Sequence, residues 1–313
     1  MVRSRLILAL LAVYIIWGST YLAIRYALET LPAFTMAGMR YGISGLLLYA
    51  WGRWHEGVRP ERGQWPAAIG IGALLMLGGH GGVVWAQQYV PSGLTALLVA
   101  TEPLWIAVLG SLGPFGFRPR WSTAAGLLVG FGGVALLIGN PFGTGVRAVD
   151  PLGAAALVFA ALSWAVGSLA ASRAAMPRSI WLTNGMQLAS GGALLAIAGM
   201  VRGEWGTIDP ATFSTRSVVA FFYLMIFGTL IGFSAYGWLL RNAHPTLAST
   251  YAFVNPVIAV LLGWLVAGET LSVRILVAAA LILVAVVLIV LVPSRPGATA
   301  EAGAPALGPG GEV

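Results

Sequence analysis

The sequence contains no cysteine and no lysine among its 313 residues. The absence of cysteine excludes disulfide bonds, a thiol nucleophile and a cysteine-ligated zinc site. All 17 basic residues are therefore arginine, and charged residues make up only 9% of the chain. Soluble domains carry about 25% charged residues, which cover their surface. The scarcity of charge therefore excludes an ordinary soluble protein of this length.

Hydrophobic residues take the place of the missing charge, at 58% of the chain and a mean hydropathy of +0.88. A helix needs about 20 apolar residues to cross a bilayer. We therefore predict an all-α membrane protein with ten transmembrane helices, the first of them an uncleaved span and not a signal peptide. The predicted spans are Leu6–Tyr26, Phe34–Trp51, Pro66–Tyr89, Gly93–Leu112, Trp121–Gly139, Pro151–Ser172, Ile180–Val201, Val218–Leu240, Leu247–Val266 and Val273–Leu291.

The arginines are scattered through the loops between these runs, which argues against a nucleic-acid-binding surface. If the N-terminus is cytoplasmic, most loop arginines fall on the cytoplasmic side, as positively charged loops do. We therefore predict a multi-pass protein of the bacterial inner membrane with both termini in the cytoplasm. Residues 294–313 are rich in Pro, Gly and Ala, so we predict a disordered cytoplasmic tail there.

Two of the apolar runs contain a polar residue followed by proline: Glu102-Pro103 in the fourth and Asn255-Pro256 in the ninth. A carboxylate in hydrocarbon has no water to solvate it, and a proline frees a backbone carbonyl. Both features require a polar cavity or a partner nearby. We predict two broken helices with Pro103 and Pro256 as bending points beside a binding site.

These two motifs belong to a wider internal repeat. Residues of the first half align with residues of the second half at nearly constant spacing. Because each half holds five spans, the second half enters the membrane from the opposite side. The sequence therefore predicts a 5+5 inverted repeat around a central cavity, with repeats at 1–149 and 150–293. The aligned pairs include Trp17 with Trp164, Gly45 with Gly192, Gly79 with Gly232 and Pro103 with Pro256.

A set of motifs resembles the EamA-type ten-span exporters of the drug/metabolite transporter superfamily. The resemblance covers the chain from about Leu6 to Leu291, and it implies ten helices around a central cavity and export of small metabolites such as amino acids. The chain departs from the family pattern at 113–117, where a Gly-Glu pair is common. The matching motifs are Trp17-Gly18-Ser19-Thr20-Tyr21, Pro32, Arg40, Pro103, Pro256 and Gly268-Glu269-Thr270-Leu271-Ser272.

Several aromatic and polar residues lie inside spans and not at their ends, where interfacial aromatics belong. Aromatic walls suit amphipathic substrates and hold a cationic amine over a ring face. The alternative is that the large rings fill gaps left by glycines. The candidate substrate-binding residues are Trp17, Ser19, Tyr21, His80, Trp85, Glu102, Trp105, Trp164, Trp238, Tyr251 and Asn255.

Three charged residues have more than one interpretation. Glu102 is either a partner for a substrate amine or a proton site, or a structural residue that pairs with Arg40 or caps a helix break at Pro103. Arg40 can hold a substrate carboxylate, but we favour a structural role. Glu269 is expected to be structural as well, at the membrane face near Arg274. His80 has no second ligand at helical spacing, so we predict no metal site.

Together these features predict a secondary transporter that exports small metabolites, amino acids with neutral or aromatic side chains above all, by alternating access. We expect a small-molecule substrate and membrane lipid as partners, no nucleic acid, no cofactor, and function as a monomer. One alternative is a proton-coupled exporter of cationic amphipathic drugs that uses Glu102. A membrane-embedded transferase is a weaker alternative, because the clustered acid, base or metal ligands of an enzyme are missing from the sequence. A channel fits poorly because one buried acid makes no polar ring.

Overall fold

The described part of the chain is helical apart from one pair of two-residue strands. This computed structural model describes residues 2–112, 117–118, 121–138, 150–243, 250–291 and 295–296. The α-helices are α1 Val2–Ala27, α2 Ala33–His55, α3 Gln64–Gly72, α4 Gly81–Ala86, α5 Ser92–Val99, α6 Glu102–Leu112, α7 Trp121–Ile138, α8 Pro151–Ala171, α9 Ile180–Val201, α10 Thr215–Tyr223, α11 Gly232–Asn242, α12 Tyr251–Ala267 and α13 Val273–Leu291.

Two π-helical segments join neighbouring α-helices without a break in the helical path. We call them π1, Ala73–His80, between α3 and α4, and π2, Leu224–Ile231, between α10 and α11. Two short 3₁₀ turns, Glu204–Thr207 and Pro210–Thr212, follow α9.

In the part of the chain that the structure describes, seven helical segments are long and apolar enough to cross a membrane. They are Ser4–Ala27, Gln64–Ala86, Ser92–Ser111, Trp121–Ile138, Pro151–Ala171, Ile180–Val201 and Thr215–Leu239. Shorter apolar helices lie at Tyr251–Ala267 and Val273–Ile289. Helix α2 has 23 residues, but Arg40 and its small polar residues lower its hydropathy. The prediction of an all-helical membrane protein is therefore confirmed.

Glycines allow two pairs of helices to pack at close range. Helices α2 and α9 run alongside each other, and a Cβ atom on Gly38 would lie 2.7 Å from the backbone nitrogen of Ala196. Helices α7 and α13 form the other pair, where a Cβ on Gly130 would lie 2.9 Å from the Cβ of Ala285. Small residues at such contacts maximise van der Waals packing, which holds membrane helices together because lipid provides no hydrophobic force between them.

The two π segments were not predicted from the sequence. A π turn shifts the backbone register, so carbonyls at the bulge need partners from outside their own helix. In π1 the carbonyl of Leu74 accepts a hydrogen bond from the Ser163 hydroxyl of α8, at 2.7 Å. In π2 the carbonyl of Gly228 accepts one from the indole Nε1 of Trp17 on α1, at 3.1 Å. Each π segment is thereby tied to a helix from the other half of the chain.

One of the two predicted helix breaks is present. Helix α5 ends at Val99 and α6 begins at Glu102, so the path is interrupted just before Pro103. The second prediction was wrong, because Pro256 lies inside the continuous helix α12. It stands in the second turn of the described helix, where a proline removes a single hydrogen-bond donor without ending the helix.

Most of the tail predicted to be disordered lies outside the described residues. Its two described residues, Arg295 and Pro296, pair in antiparallel fashion with Phe117 and Arg118. For the rest of 294–313 the disordered tail stays a prediction. The family departure noted at 113–117 also lies outside the described residues except for Phe117.

Candidate substrate-binding site

A cavity of about 660 Å³ lies at the centre of the helices. Its volume falls in the range of about 300–1,000 Å³ that is usual for small-molecule sites. The lining is mainly apolar, with a few polar side chains contributed by different helices. Of the predicted substrate-binding residues, seven line this cavity: Trp17, Tyr21, His80, Glu102, Trp164, Tyr251 and Asn255.

The remaining four predicted residues are not brought to the cavity, and packing explains each. Ser19 donates to the carbonyl of Ile16 at 2.9 Å and shares a hydrogen bond with the hydroxyl of Tyr223. The other three are tryptophans that pack elsewhere: Trp85 against Tyr89, Trp105 against Phe131, and Trp238 with the small cluster around Val13 and Leu239. For these positions the alternative of gap-filling rings is the better account.

Four aromatic rings form one wall of the cavity. Trp17 lies at its centre, with ring centroids at 5.5 Å from Phe233, 5.2 Å from Tyr236 and 5.2 Å from Tyr251. Because the Trp17 indole also donates to Gly228, its ring is held in place by a hydrogen bond as well as by packing. The sequence alone did not reveal Phe233 and Tyr236 as lining residues, although both lie on α11 shortly after Gly232, the aligned partner of Gly79.

Glu102 lies beside this aromatic wall. It is the first residue of α6, where the free backbone N–H groups of a helix start favour a carboxylate. Ser168 of α8 is its polar neighbour. The carboxylate lies close enough to Tyr21, Tyr236 and Tyr251 for its charge to act on their hydroxyl groups. This side of the cavity thus combines aromatic ring faces with a carboxylate, which is the combination that binds an organic cation.

Arg40 also lines this cavity. The residue is only 3% exposed, and its Nε donates to the hydroxyl of Thr229 in π2 at 2.9 Å. Its guanidinium carbon lies 4.6 Å from the ring centroid of Tyr41. His80 stacks nearby, with its ring centroid 4.9 Å from both Tyr41 and Trp164. The cavity lining therefore contains a guanidinium group as well as a carboxyl group.

Two polar atoms of the cavity lining lack a hydrogen-bond partner among the described residues. They are Nδ1 of His80 and Oδ1 of Asn255, and both are buried. Buried polar groups in proteins are almost always hydrogen-bonded, so an exception calls for an explanation. A polar ligand in the cavity provides one.

Glu269 is placed away from the cavity, in the turn after α12, where Gly268 adopts a φ of 64°. Its carboxylate accepts from the backbone N–H groups of Ser92 and Gly93, at 2.7 and 2.9 Å, and pairs with Arg25 at the end of α1. The sequence suggested a neighbour in Arg274 and did not reveal these contacts, because they join segments far apart in the chain.

Glu204 makes a similar set of contacts at the same end of the molecule. Its carboxylate accepts from the backbone N–H groups of Phe34 and Thr35, at 3.2 and 2.8 Å, and from the Thr35 hydroxyl. In both cases an acidic residue from the second half of the chain caps a helix of the first half. Arg216 adds an exposed ion pair with Glu29 at 3.1 Å.

Comparisons with known proteins agree with this architecture. The EamA-like transporter family matches residues 4–139 and 151–291. The chain belongs to this family. The uncharacterized inner membrane transporter YedA of Escherichia coli strain K12 is 40% identical over 295 residues, which is 92% of each chain. The uncharacterized transporter YoaV of Bacillus subtilis strain 168 is 23% identical, over 89% of this chain and 94% of its own.

A solved crystal structure has the same fold, with a TM-score of 0.60 and 22% identity, covering 91% of this chain and 96% of the other. The EamA match and the similarity to YedA support a transport protein of the bacterial inner membrane that crosses the bilayer several times. Membership of a transporter family also agrees with the prediction that the chain is not an enzyme.

Proposed function

We propose that this protein is a secondary transporter that exports small metabolites, above all amino acids with neutral or aromatic side chains. The observation that carries the proposal is the polarity of the central cavity. Its lining combines the aromatic wall, the carboxyl group of Glu102 and the buried guanidinium group of Arg40. A free amino acid presents the matching chemistry, because it carries an ammonium group, a carboxylate and a side chain that packs against rings.

The architecture proposed for this transporter is ten spans arranged as a 5+5 inverted repeat, with repeats at 1–149 and 150–293. Two separate family matches, at 4–139 and 151–291, support it. So does the placement of π1 and π2 in the third and eighth helical segments. The aligned tryptophans give further support, because Trp17 lies against Gly232 and Trp164 lies against Gly79. Inverted repeats of odd span number allow the two halves to exchange roles during transport.

The mechanism proposed is alternating access, with both termini in the cytoplasm. In that orientation, Ala171 at the end of α8 and Ile180 at the start of α9 face the cytoplasm, and both line the cavity. The contacts of Glu269 and Glu204 then lie at the periplasmic end, where they join the two halves. We therefore assign this conformation as open to the cytoplasm. The interruption before Pro103 is the proposed bending point in the first half, and the second-half counterpart is Pro256 within α12.

Counterflow in proteoliposomes tests the proposal. Vesicles containing the purified protein are loaded with unlabelled phenylalanine, leucine or tryptophan, and uptake of the labelled amino acid is measured with and without a pH gradient. Accumulation above that of empty vesicles is expected for at least one of the three. Trp17→Ala should abolish it, whereas Trp105→Phe, outside the cavity lining, should leave it intact. If no member of a broad amino-acid panel exchanges, the proposed substrate class is wrong.

A second candidate function is proton-coupled export of cationic amphipathic drugs. It is favoured by the position of Glu102 beside Tyr21, Tyr236 and Tyr251, which suits an organic cation or a proton. Under this alternative, export of the cation follows the pH gradient, and Glu102→Gln abolishes the coupling. Transport that survives Glu102→Gln and ignores the gradient excludes this candidate.

A further inference from the structure

Arg40 is a cation in the apolar interior of the helix bundle, and the protein does not neutralise it there. No carboxylate of a described residue lies within ion-pair distance of its guanidinium. Its recorded partners, the Thr229 hydroxyl and the Tyr41 ring, are both uncharged. A buried charge without a counterion is strongly unfavourable. Ionisable residues in such positions within membranes usually belong to a functional site.

The orientation of the guanidinium leaves its binding face available. Nε is occupied by Thr229, which fixes the plane of the group. The two terminal nitrogens have no acceptor among the described residues, and Arg40 lines the cavity. A guanidinium held in this way presents two parallel N–H donors, the geometry that matches a carboxylate. His80, with its unpartnered Nδ1, lies beside it and offers a further hydrogen bond.

Glu102 does not serve as the missing counterion. Both residues line the cavity, but their side chains do not lie within ion-pair distance of each other. The structural ion pair that the sequence allowed between Glu102 and Arg40 is therefore not formed, whereas the structural role favoured for Arg40 itself stays a prediction.

We propose that Arg40 binds the carboxylate of the transported molecule, with His80 as its hydrogen-bonding neighbour. The Glu102 side and the aromatic wall then receive the ammonium group and the side chain. This assignment rests on the proposed transport function and narrows its substrate class to zwitterions, that is, molecules that carry both charges. Monovalent amines and simple carboxylic acids each satisfy only one side of the cavity.

Three ligands that share a phenyl ring allow the contributions of Arg40 and Glu102 to binding to be measured separately. Phenylalanine carries both charged groups, phenethylamine only the amine and 3-phenylpropionate only the carboxylate. Binding of each is measured for the full-length protein in lipid nanodiscs. Arg40→Gln is expected to weaken the binding of phenylalanine and of 3-phenylpropionate by about 10- to 100-fold, because a charged hydrogen-bond partner is lost. Phenethylamine binding should not change. Glu102→Gln is the matched control. It should weaken the binding of phenylalanine and of phenethylamine but not the binding of 3-phenylpropionate.

A purely structural role for Arg40 gives a different pattern. Arg40→Gln would then lower the thermal stability of the protein and weaken the binding of all three ligands equally. That result overturns the assignment. If Arg40→Gln does not fold, the variant Arg40→Lys distinguishes carboxylate binding from a structural role. This variant keeps the charge but loses the paired donors. Arg40→Lys should weaken the binding of phenylalanine more than the binding of phenethylamine. Equal effects on the two ligands overturn the assignment, and so does failure of both variants to fold.

The failure of this inference differs from failure of the proposed function. If the unmodified protein binds none of the three ligands, the amino-acid function fails, and the role of Arg40 fails with it. If it binds phenylalanine and Arg40→Gln binds phenylalanine equally well, the transport function stands and only the assignment of Arg40 is wrong.

Discussion

The segments π1 and π2 share a backbone shape but differ in what holds them. π1 is tied to α8 by the Ser163 hydroxyl, which donates to Leu74, and π1 ends on His80 in the cavity lining. π2 is tied to α1 by the Trp17 indole, and its Thr229 accepts from Arg40. One segment thus contributes an imidazole ring to the cavity, whereas the other positions the guanidinium group of Arg40. Two π-helical segments of the same backbone shape therefore place chemically different groups at the cavity.

The tryptophans beside the two segments differ in the number of contacts that hold their rings. Trp17 has a hydrogen bond to π2 and three neighbouring aromatic rings. The recorded ring contact of Trp164 is with His80 alone among the described residues. We infer that the Trp17 side is the more rigid of the two, and that movement during transport is accommodated first on the Trp164 side. Paired substitutions on the two sides test this difference.

The largest effect is expected from alanine at the glycines that face these tryptophans. In Gly232→Ala the new Cβ meets the indole of Trp17, which cannot turn aside because it is hydrogen-bonded and walled in. In Gly79→Ala the Cβ lies 2.8 Å from the Trp164 ring, which has fewer restraints. We expect Gly232→Ala to cost about 3 kcal/mol, the upper end for overpacking, and Gly79→Ala clearly less. Thermal unfolding in detergent measures both, and equal losses would contradict the inferred difference in rigidity.

The next effect is expected at the contact between π2 and Arg40. Thr229→Val keeps the side-chain shape but removes the acceptor for the guanidinium. Loss of a hydrogen bond to a charged group should cost about 2 kcal/mol of stability. Thr95→Val is the matched control, because the Thr95 hydroxyl bonds only to its own helix, at Pro91. A control as damaging as Thr229→Val would show that threonine hydroxyls stabilise this bundle generally and that Arg40 is not special.

The sequence predicted the helical membrane architecture because length and hydropathy suffice for that. Seven of the eleven binding residues expected from the sequence line the cavity, among them residues at aligned places such as Trp17 with Trp164 and Glu102 with Asn255. It failed for Trp85 and Trp105, because helix faces toward lipid and toward a cavity are both apolar in a membrane protein. The pattern of apolar residues therefore does not separate them.

Other features depended on contacts between distant segments. π1 and π2 have no sequence signature of their own, since each is stabilised by a donor from another helix. The partners of Glu269 lie on α1 and α5, far from it in the chain. Arg40 was recognised as a charged residue within a span, but its lack of a counterion became visible only when the surrounding helices were placed.

The third prediction concerns the tryptophans themselves. Trp17→Phe removes the N–H that donates to the Gly228 carbonyl and leaves that carbonyl without its partner in an apolar setting. It should cost about 1 kcal/mol of stability. Trp164→Phe removes no recorded hydrogen bond and should be milder. Thermal unfolding of the two variants under the same conditions compares them. A larger loss for Trp164→Phe would reverse the order of rigidity that we infer for the two sides.

The smallest effect is expected for the tie between π1 and α8. Ser163→Ala removes the hydroxyl that donates to the carbonyl of Leu74 and leaves the rest of the side chain in place. The lost hydrogen bond joins two uncharged groups, so we expect a net loss of only about 0.5 kcal/mol, at the low end for a hydrogen bond. If π1 is the side that moves, this small loss of stability should accompany a change in the exchange rate in counterflow. An unchanged rate together with a large loss of stability would instead make π1 a rigid element like π2, and the two halves would then differ in chemistry but not in mobility.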